Sequence, residues 1–178
     1  MPPGERANEA GFGLELMAQA DALYAFARRL CRDSTLAEDL VQETFARALD
    51  AREQFTVGSN LKAWLFRILR NLFWDKKRRD RRNPVDPRAG DEDSEASSSD
   101  VWLRGDLELE RLRRLVSEDI QAALERLTDD ARLVVLLDLE GFSDVETAEI
   151  MSCALGTVKS RLARARAHLR EALREYAQ

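Results

Sequence analysis

Apolar side chains recur at helical spacing through the first part of the chain, where they predict three helices. The first helix ends near Cys31, and its inward stripe consists of Leu14, Met17, Leu23, Tyr24, Ala27 and Leu30. Thr35 and Glu38 have the spacing of a capping box, which predicts that a second helix begins there. The inward stripe of this second helix consists of Leu36, Leu40, Val41, Phe45, Ala48 and Leu49.

A loop over residues 54–60, rich in turn formers, separates the second helix from a long third one. The third helix begins near Leu61 and ends in the basic run KKRRDRR, residues 76–82. Its inward positions are Trp64, Leu65, Ile68, Leu69 and Leu72. These three helices predict a first small helical domain over residues 14–82, preceded by a flexible N-terminus over residues 1–13.

Apolar side chains recur at the same helical spacing in the last third of the chain, where they predict four more helices. The first covers residues 106–127, with inward Leu112, Leu115, Ile120, Ala123, Leu124 and Leu127. Thr128 is placed to cap a helix that runs to about Glu140, where Gly141 stops it. Ser143 caps a short helix to Met151, and the final helix runs from about Leu155 to Tyr176. No strand pattern competes, so the predicted fold is all-α, with a second small helical domain over residues 108–178.

A change of composition separates the two predicted domains. Residues 83–100, NPVDPRAGDEDSEASSSD, contain four serines, six acids and almost no apolar side chain. Such a segment buries too little surface to offset the entropy lost on ordering. The sequence therefore predicts a flexible acidic linker over residues 83–107.

The net charge of −5 conceals two basic regions. Residues 20–82 carry 14 basic and 9 acidic side chains, a net charge of +5, whereas residues 83–110 carry 2 and 9, a net charge of −7. Residues 159–178 carry 6 and 2, a net charge of +4. An acidic total therefore does not exclude a nucleic-acid partner.

Several classes of protein are disfavoured by what the sequence lacks. No stretch approaches 18 uncharged apolar residues, and the N-terminus lacks the pattern of a signal peptide, so we expect a cytoplasmic protein without membrane insertion. Cys31, Cys153 and the single His168 have no metal-ligand spacing, so we expect no metal site. No nucleophile–base pair or phosphate-binding glycine loop is recognisable, so we expect neither an enzyme nor a cofactor.

The final helix contains a concentrated basic segment, GTVKSRLARARAHLR, at residues 156–170. On a helical wheel, Val158, Leu162, Ala165 and Leu169 form one core stripe. Lys159, Arg166 and Arg170 form one flank and Arg161 and Arg164 the other, with the small residues Ser160, Ala163 and Ala167 between them. Small side chains between long cations allow the helix to approach a groove of DNA closely. For this helix taken alone, the alternative is a basic face that is exposed only to water.

The residues before this helix favour DNA binding. Ala148, Ser152 and Val158 have the spacing of a helix-turn-helix, in which the N-terminal part of the second helix enters the major groove. The turn position of the motif is usually glycine because φ is positive there, so Ser152 departs from the usual pattern. Thr147 also departs from it, because an apolar residue is expected at that position. The candidate DNA contacts are Thr157, Lys159, Ser160, Arg161, Ala163 and Arg164.

The third helix of the first domain carries a second nucleic-acid signature. Cations line it at Lys62, Arg67, Arg70, Lys76, Lys77, Arg78 and Arg79, interleaved with Trp64, Phe66, Phe73 and Trp74. Aromatic rings beside cations suit single-stranded nucleic acid, whose bases can stack on them. The alternative is that the rings belong to the core, and the periodicity favours that alternative for Trp64.

Three ordered motifs stand out: AEDLVQETFARAL at 37–49, FTVGSNLKAWLFRILRN at 55–71 and GFSDVETAEIMSCALGTVKSRLARARAHLREAL at 141–173. Together they resemble the motifs of the extracytoplasmic-function group of bacterial sigma factors. The resemblance implies two helical domains, sigma-2 and sigma-4, that bind core RNA polymerase through its β′ clamp and β flap. It also implies regulation by an anti-sigma factor, and the second motif is similar to that of the general-stress subgroup.

The resemblance also implies roles for individual residues. Asp39, Gln42 and Glu43 match the surface that docks on the β′ clamp helices. Gly58, Ser59 and Asn60 match the loop that captures a flipped base of the −10 element, and Lys62, Arg67, Asn71, Lys76, Lys77 and Arg79 lie where the single strand is held. The helix-turn-helix would then read the −35 element as duplex DNA.

Two other functions remain open at this stage. A sigma-like mimic would sequester an anti-sigma protein without binding promoters, but such proteins also carry a receiver domain for which this chain has no room. A free-standing helix-turn-helix regulator would bind duplex DNA without polymerase and would leave residues 37–49 without a role.

Overall fold

The computed structural model describes residues 11–31, 33–56, 58–82 and 117–174 of the chain. Its helices are α1 (residues 11–17), α2 (Ala20–Leu30), α3 (Ser34–Asp50), α4 (Leu61–Arg82), α5 (residues 117–125), α6 (Asp129–Leu139), α7 (Asp144–Met151) and α8 (Leu155–Ala172). A short 3-10 turn, Arg52–Gln54, follows α3. No strand occurs in these ranges, in agreement with the all-α prediction. The predicted linker, residues 83–107, lies outside the described residues.

Helices α2, α3 and α4 enclose the core of the N-terminal domain, which comprises α1–α4. Leu23 and Phe26 of α2 pack with Leu40 of α3 and with Leu65 and Phe66 of α4, all of them buried. The rings of Phe26 and Phe66 meet edge to face, with centroids 4.9 Å apart. Each large apolar side chain buried in this way contributes roughly 1.5–3 kcal/mol, and these contacts hold α3 and α4 at fixed positions.

The predicted stripe of the first helix is wrong at three positions. Leu14, Met17 and Tyr24 are 73%, 65% and 38% exposed, whereas Leu16 and Phe26 are buried. The physical reason is a turn at residues 18–19 that separates α1 from α2. A turn breaks the 3.6-residue period, so a single wheel drawn through both helices assigns the wrong face.

The start of α3 also differs from the prediction. Asp33, not Thr35, caps the helix, since its carboxylate accepts a hydrogen bond from the backbone amide of Leu36 at 3.1 Å. Leu49, predicted to face inward, is 48% exposed. Thr44 is buried instead, because its hydroxyl donates to the carbonyl of Leu40 at 2.6 Å and so requires no water.

The caps predicted for the C-terminal domain, α5–α8, are confirmed. The hydroxyl of Thr128 accepts from the amide of Ala131 at 3.3 Å at the start of α6. Ser143 and Glu146 form a complete capping box at the start of α7, and Gly141 adopts φ of 86° between the two helices. The prediction for Ile120 is wrong, because this side chain of α5 is 41% exposed.

The two domains pack against each other, which the sequence did not predict. Phe66 of α4 lies between Phe26 of its own domain and Phe142 of the other, with ring centroids 5.1 Å apart for the second pair. Buried side chains of both domains consequently form one cluster. Arg132 of α6 reaches across the boundary and donates to the carbonyl of Leu30 at 3.2 Å.

The two cysteines are expected to differ in reactivity. Burial raises the pKa of the Cys31 thiol to about 11, against the nearby positive charges of Lys77 and Lys76, whereas Cys153 is only half-buried. Since the thiolate is the nucleophile, we expect an aromatic disulfide reagent at neutral pH to modify Cys153 and leave Cys31 unreacted until the protein is unfolded. Mass spectrometry of native and denatured protein distinguishes this from equal labelling of both thiols, the contrary result.

Candidate nucleic-acid interface

Helices α7 and α8 form a helix-turn-helix with the predicted core and exposed faces. Val158, Leu162 and Ala165 of α8 are buried, at 0%, 6% and 2% exposure. The opposite face exposes Lys159, Ser160, Ala163 and Arg164. The N-terminal half of α8 therefore presents cations around two small side chains, a shape that fits a DNA groove.

The turn has the backbone conformation that the motif requires. Ser152 has φ of 50° and ψ of 47°, in the left-handed region, as predicted from its position. A non-glycine residue there is strained by roughly 1–2 kcal/mol. The amide of Cys153 donates to the carbonyl of Ala148 at 3.1 Å, which closes the end of α7 against the turn. Thr147, which is polar where the motif usually has an apolar residue, is nevertheless buried, with 2% of its surface exposed.

The cations of α8 fall into two sets. Arg161 contacts the carboxylate of Asp130 at 2.6 Å, and Arg166 contacts both oxygens of Asp138 at 2.8 and 3.0 Å. These pairs tie α8 to α6. Arg164 is exposed, and its Nε donates to the carbonyl of Ser160 in its own helix at 3.2 Å. Arg164 and Lys159 are thus presented to solvent, whereas Arg161 is held by a carboxylate.

The basic residues predicted for α4 lie in different environments. Arg67, Asn71 and Arg79 are exposed, and Lys76 is half-buried. Lys77 contacts Asp129 of the C-terminal domain at 3.5 Å and lies 5.5 Å from the ring centre of Phe73. The exposed members leave a basic track along the outer side of α4.

The alternative that the aromatic rings of α4 belong to the core holds for two of the four rings. Phe66 and Phe73 are 1% and 3% exposed, so they belong to the core and cannot stack on bases. Trp64 and Trp74 are half-buried, with Trp64 packed 5.3 Å from Phe55 and Trp74 packed 5.5 Å from Phe73. A single helix cannot expose every ring at these spacings while also supplying the domain core.

The loop before α4 is organised by its own polar side chains. Gly58 has φ of 87°, and the hydroxyl of Ser59 donates to the carbonyl of Thr56 at 2.7 Å. The side-chain oxygen of Asn60 accepts from the amide of Ala63 at 3.0 Å and so caps α4. Gly58, Ser59 and Asn60 are all exposed, which suits a loop that receives a ligand.

The C-terminal domain contacts this loop and the start of α4. The amide nitrogen of Asn60 donates to the carboxylate of Glu146 at 2.8 Å. Lys62 donates to the backbone carbonyl of Glu140 at 2.9 Å and to its carboxylate at 3.2 Å. Hydrogen bonds from the amide and hydroxyl of Ser143, and then from Asn60, hold the pKa of Glu146 below its ordinary value. The periodicity of apolar residues along the sequence does not identify the partners of a side chain, so the sequence did not predict these contacts between the domains.

A third surface lies on α3. Asp39, Gln42 and Glu43 are exposed, as predicted, and Glu43 is paired with Arg47 at 2.9 Å. The groove between α3 and the end of α4 is lined by Asp39 and Glu43 on one side and by Lys76 and Arg79 on the other. An acidic strip beside a basic track allows a protein and a nucleic acid to be bound at neighbouring positions.

The fold and these three surfaces define a two-domain, helical DNA-binding protein whose C-terminal domain contains a helix-turn-helix. Among the described residues, no helix is both long and apolar enough to cross a membrane. In the same part of the chain, no three His, Cys, Asp or Glu side chains are grouped as metal ligands.

Comparisons with known proteins identify the class. The family model described as Sigma-70 region 2 matches residues 16–83, and that described as Sigma-70, region 4 matches residues 117–169. The chain is 41% identical over 156 residues to the ECF RNA polymerase sigma factor EcfG from Rhodopseudomonas palustris, covering 87% of this chain and 81% of that one.

Two solved structures are similar over most of the chain. The sigma factor RpoE from Bartonella quintana, in complex with the anti-sigma factor NepR, has a TM-score of 0.71 and 39% identity, covering 92% of this chain and 97% of that one. CnrH, in complex with the cytosolic domain of CnrY, has a TM-score of 0.63 and 26% identity, covering 95% and 94%.

The chain belongs to the ECF group of RNA polymerase sigma factors. It is therefore a transcription-initiation factor that binds core RNA polymerase, recognises the −35 and −10 promoter elements and promotes promoter opening. It is not an enzyme.

Proposed function

We propose that this sigma factor divides promoter recognition between its two domains, residues 14–82 and 108–178, joined by the linker 83–107. The C-terminal domain reads duplex DNA at the −35 element, and the N-terminal domain binds the single strand at the −10 element. The observation that carries this proposal is the exposed face of α8, where Lys159, Ser160, Ala163 and Arg164 follow a left-handed turn. That arrangement fits the entry of a recognition helix into the major groove.

The −35 contacts are assigned to Thr157, Lys159, Ser160, Arg161, Ala163 and Arg164. Within this set, the exposed Arg164 is the best candidate to read a base, because an arginine can donate two hydrogen bonds to guanine. Arg161 would first have to exchange the carboxylate of Asp130, 2.6 Å away, for a phosphate. We therefore assign Arg161 to backbone contact.

The −10 contacts are assigned to Gly58, Ser59, Asn60, Lys62, Arg67, Asn71, Lys76, Lys77 and Arg79. The exposed loop supplies a side-chain amide at Asn60, which can pair with the edge of a flipped base. The exposed Arg67, Asn71 and Arg79 support a role for α4 in holding the phosphate backbone. Trapping unstacked bases in this way stabilises the open promoter without any chemical step.

Core polymerase is proposed to dock on Asp39, Gln42 and Glu43 through its β′ clamp, with the C-terminal domain on the β flap. The exposure of all three side chains on one helix supports this assignment. Once the polymerase fixes the separation of the domains, each needs only modest affinity for DNA, because the second contact becomes intramolecular.

An anti-sigma factor is the proposed regulator, and the cytoplasm the proposed location. The similar sigma factor from Bartonella quintana was solved in complex with the anti-sigma factor NepR, at 39% identity to this chain. The motif at 55–71, which is similar to that of the general-stress subgroup, also favours a role in general stress.

The direct test is run-off transcription from genomic fragments with purified core polymerase. We expect discrete transcripts that require this protein. A free-standing regulator would instead bind duplex DNA without core, and a sigma-like mimic would bind an anti-sigma factor but give no transcript. Failure to bind core would contradict the proposed docking surface.

Arg164→Ala is expected to weaken discrimination at one position of the −35 element by about 1–3 kcal/mol, because a bidentate contact to a base is lost. Binding is measured by competition between the cognate duplex and duplexes substituted at each −35 position. Arg170→Ala, which removes an exposed cation farther along α8, is the matched control and should weaken all duplexes equally. A uniform loss for Arg164→Ala as well would make Arg164 a phosphate contact.

A further inference from the structure

Two aspartates of α6 each bind one arginine of the recognition helix α8. Asp130, in the first turn of α6, lies 2.6 Å from Arg161. Asp138, in the last turn of α6, accepts hydrogen bonds from Nη2 of Arg166 on both of its carboxylate oxygens, at 2.8 and 3.0 Å. Helix α8 carries five cations and one carboxylate, a net charge of +4. The two pairs therefore compensate two of its five positive charges.

The paired arginines are the cations of α8 that lie closest to its buried side. On a helical wheel, Arg161 and Arg166 lie about 70° on either side of the centre of the buried stripe, which is the side that packs on α6. Lys159 and Arg164 lie farther round the helix and are exposed. The outer face of α8 thus keeps its cations available, whereas each flank gives one cation to α6.

The packing of α6 on α8 does not depend on these ion pairs. Leu133 of α6 and Val158 of α8 are both 0% exposed and belong to one apolar cluster. The four paired side chains, by contrast, are between 26% and 56% exposed. Ion pairs between exposed side chains add little to stability, because water and salt screen them. The apolar contacts therefore hold the two helices together, and the carboxylates are accessible from outside.

A phosphate of DNA has to compete with these carboxylates. Carboxylate and phosphate both present anionic oxygens that accept hydrogen bonds from a guanidinium. Because Arg161 and Arg166 are partly exposed, a phosphate can reach either of them without unfolding the domain. The displaced aspartate would then lie beside the phosphate with a charge of the same sign, and like charges repel. Each exchange consequently gains less free energy than the binding of a phosphate to an unpaired arginine.

We propose that Asp130 and Asp138 are intramolecular competitors of DNA phosphate that limit the sequence-independent affinity of the helix-turn-helix. Sequence-independent binding is driven by the counterions that phosphates release when protein cations replace them. An aspartate that loses its arginine attracts a cation from solution, so this exchange releases little net salt. The proposal goes beyond the assignment of −35 contacts, and it rests on the proposed contact of α8 with duplex DNA.

The competition affects all DNA sequences alike. Phosphate contacts position a protein on the duplex but carry no sequence information, whereas the contacts with base edges do. Lowering the phosphate contribution therefore weakens binding to bulk DNA without changing the ratio between cognate and other sequences. A sigma factor with this property stays available to core polymerase, which supplies the second contact that makes promoter binding intramolecular.

The test neutralises each aspartate in the full-length protein with a side chain of the same shape. Asp130→Asn and Asp138→Asn are made singly and together. Asp21→Asn is the matched control, because it removes the same charge from an exposed position of α2. Circular dichroism verifies that all variants retain their helices. Fluorescence anisotropy then measures binding to a random-sequence duplex of about 20 base pairs, at salt concentrations from about 50 to about 200 mM.

Each single variant is expected to bind the random duplex several-fold more tightly than the unsubstituted protein at the lowest salt concentration. One additional phosphate contact steepens the slope of log K against log salt concentration by about 0.9. The advantage of a single variant should therefore shrink roughly threefold to fourfold between about 50 and about 200 mM salt, and the double variant should show about twice the change in slope. The control should match the unsubstituted protein. An unchanged slope, or weaker binding, overturns the proposal.

A double-mutant comparison shows whether the gain in affinity depends on the paired arginine. In a protein that already carries Arg161→Ala, the further change Asp130→Asn should alter neither the affinity nor the slope, because it frees no cation for DNA. The same gain with and without Arg161 would show that Asp130 acts through the general electrostatic field of the domain. That result would refute the competition between Asp130 and phosphate.

Binding to the cognate −35 duplex separates failure of this inference from failure of the proposed function. Asp130→Asn should raise the affinities for the cognate and random duplexes by the same factor, and a changed ratio would contradict the proposal. If neither aspartate variant gains affinity but Arg164→Ala still lowers discrimination, the competition is refuted and the −35 assignment stands. If neither Arg164→Ala nor Arg170→Ala alters binding to any duplex, α8 does not contact DNA and both proposals fail.

Discussion

Arginine in place of Asp39 or Glu43 is expected to abolish binding to core RNA polymerase while leaving the fold and duplex binding intact. Both carboxylates are exposed on α3, so reversing their charge removes no core contact. At a protein interface, however, two like charges placed against each other cost several kcal/mol of binding free energy. A partner that binds an acidic patch is itself positive, so the introduced arginine repels it. The loss is expected to be larger for Asp39→Arg, since Glu43 is already paired with Arg47 at 2.9 Å.

Core binding is measured by competition against labelled unsubstituted sigma factor, and duplex binding by anisotropy on a −35 fragment. Asp50→Arg is the control, because it makes the same charge reversal at the exposed far end of α3. Equal competition by Asp39→Arg and Asp50→Arg would remove Asp39 from the docking surface.

Arg132→Ala is expected to lower the free energy of unfolding by about 3–5 kcal/mol, because each buried carbonyl that loses its donor costs roughly 1–3 kcal/mol. Arg132 is 6% exposed. Its guanidinium donates to four carbonyls, those of Leu124, Glu125, Leu127 and Leu30, at 3.0, 3.0, 3.4 and 3.2 Å. Without it, buried acceptors are left unsatisfied and a cavity remains.

Thermal and urea unfolding measure this loss, which corresponds to roughly 10 °C in melting temperature for a chain of this size. Arg166→Ala is the control, since it removes an arginine that is bidentate to Asp138 but 56% exposed, and such pairs contribute at most about 1 kcal/mol. A similar small loss for both variants would show that water replaces the buried guanidinium adequately.

Local features of the C-terminal domain could be predicted from the sequence because they depend on neighbouring residues. The left-handed turn at Ser152 and the burial of Val158 follow from the spacing of one motif. The same holds for the capping box of Ser143 with Glu146, which lie three positions apart. Short-range patterns of this kind determine backbone conformation directly.

Features that depend on distant residues could not be predicted in the same way. Phe66 and Lys62 find partners in Phe142 and Glu140, far along the chain, and a periodic pattern does not identify a partner. In the sequence, the cationic and aromatic residues of α4 could form one binding surface, or the rings could belong to the core. In the fold, α4 uses its buried rings for packing, Lys62 and Arg70 for interdomain contact and Arg67 and Arg79 for the exposed track.

The ring of Phe66 contacts a ring from each domain, Phe26 and Phe142, and this has a thermal consequence. Any separation of the domains exposes the Phe142 side of that contact to water and so increases the heat capacity. Apolar contacts weaken on cooling. This part of the interface therefore favours the compact arrangement more at growth temperature than in the cold, and any parting of the two phenylalanines carries a positive heat-capacity term.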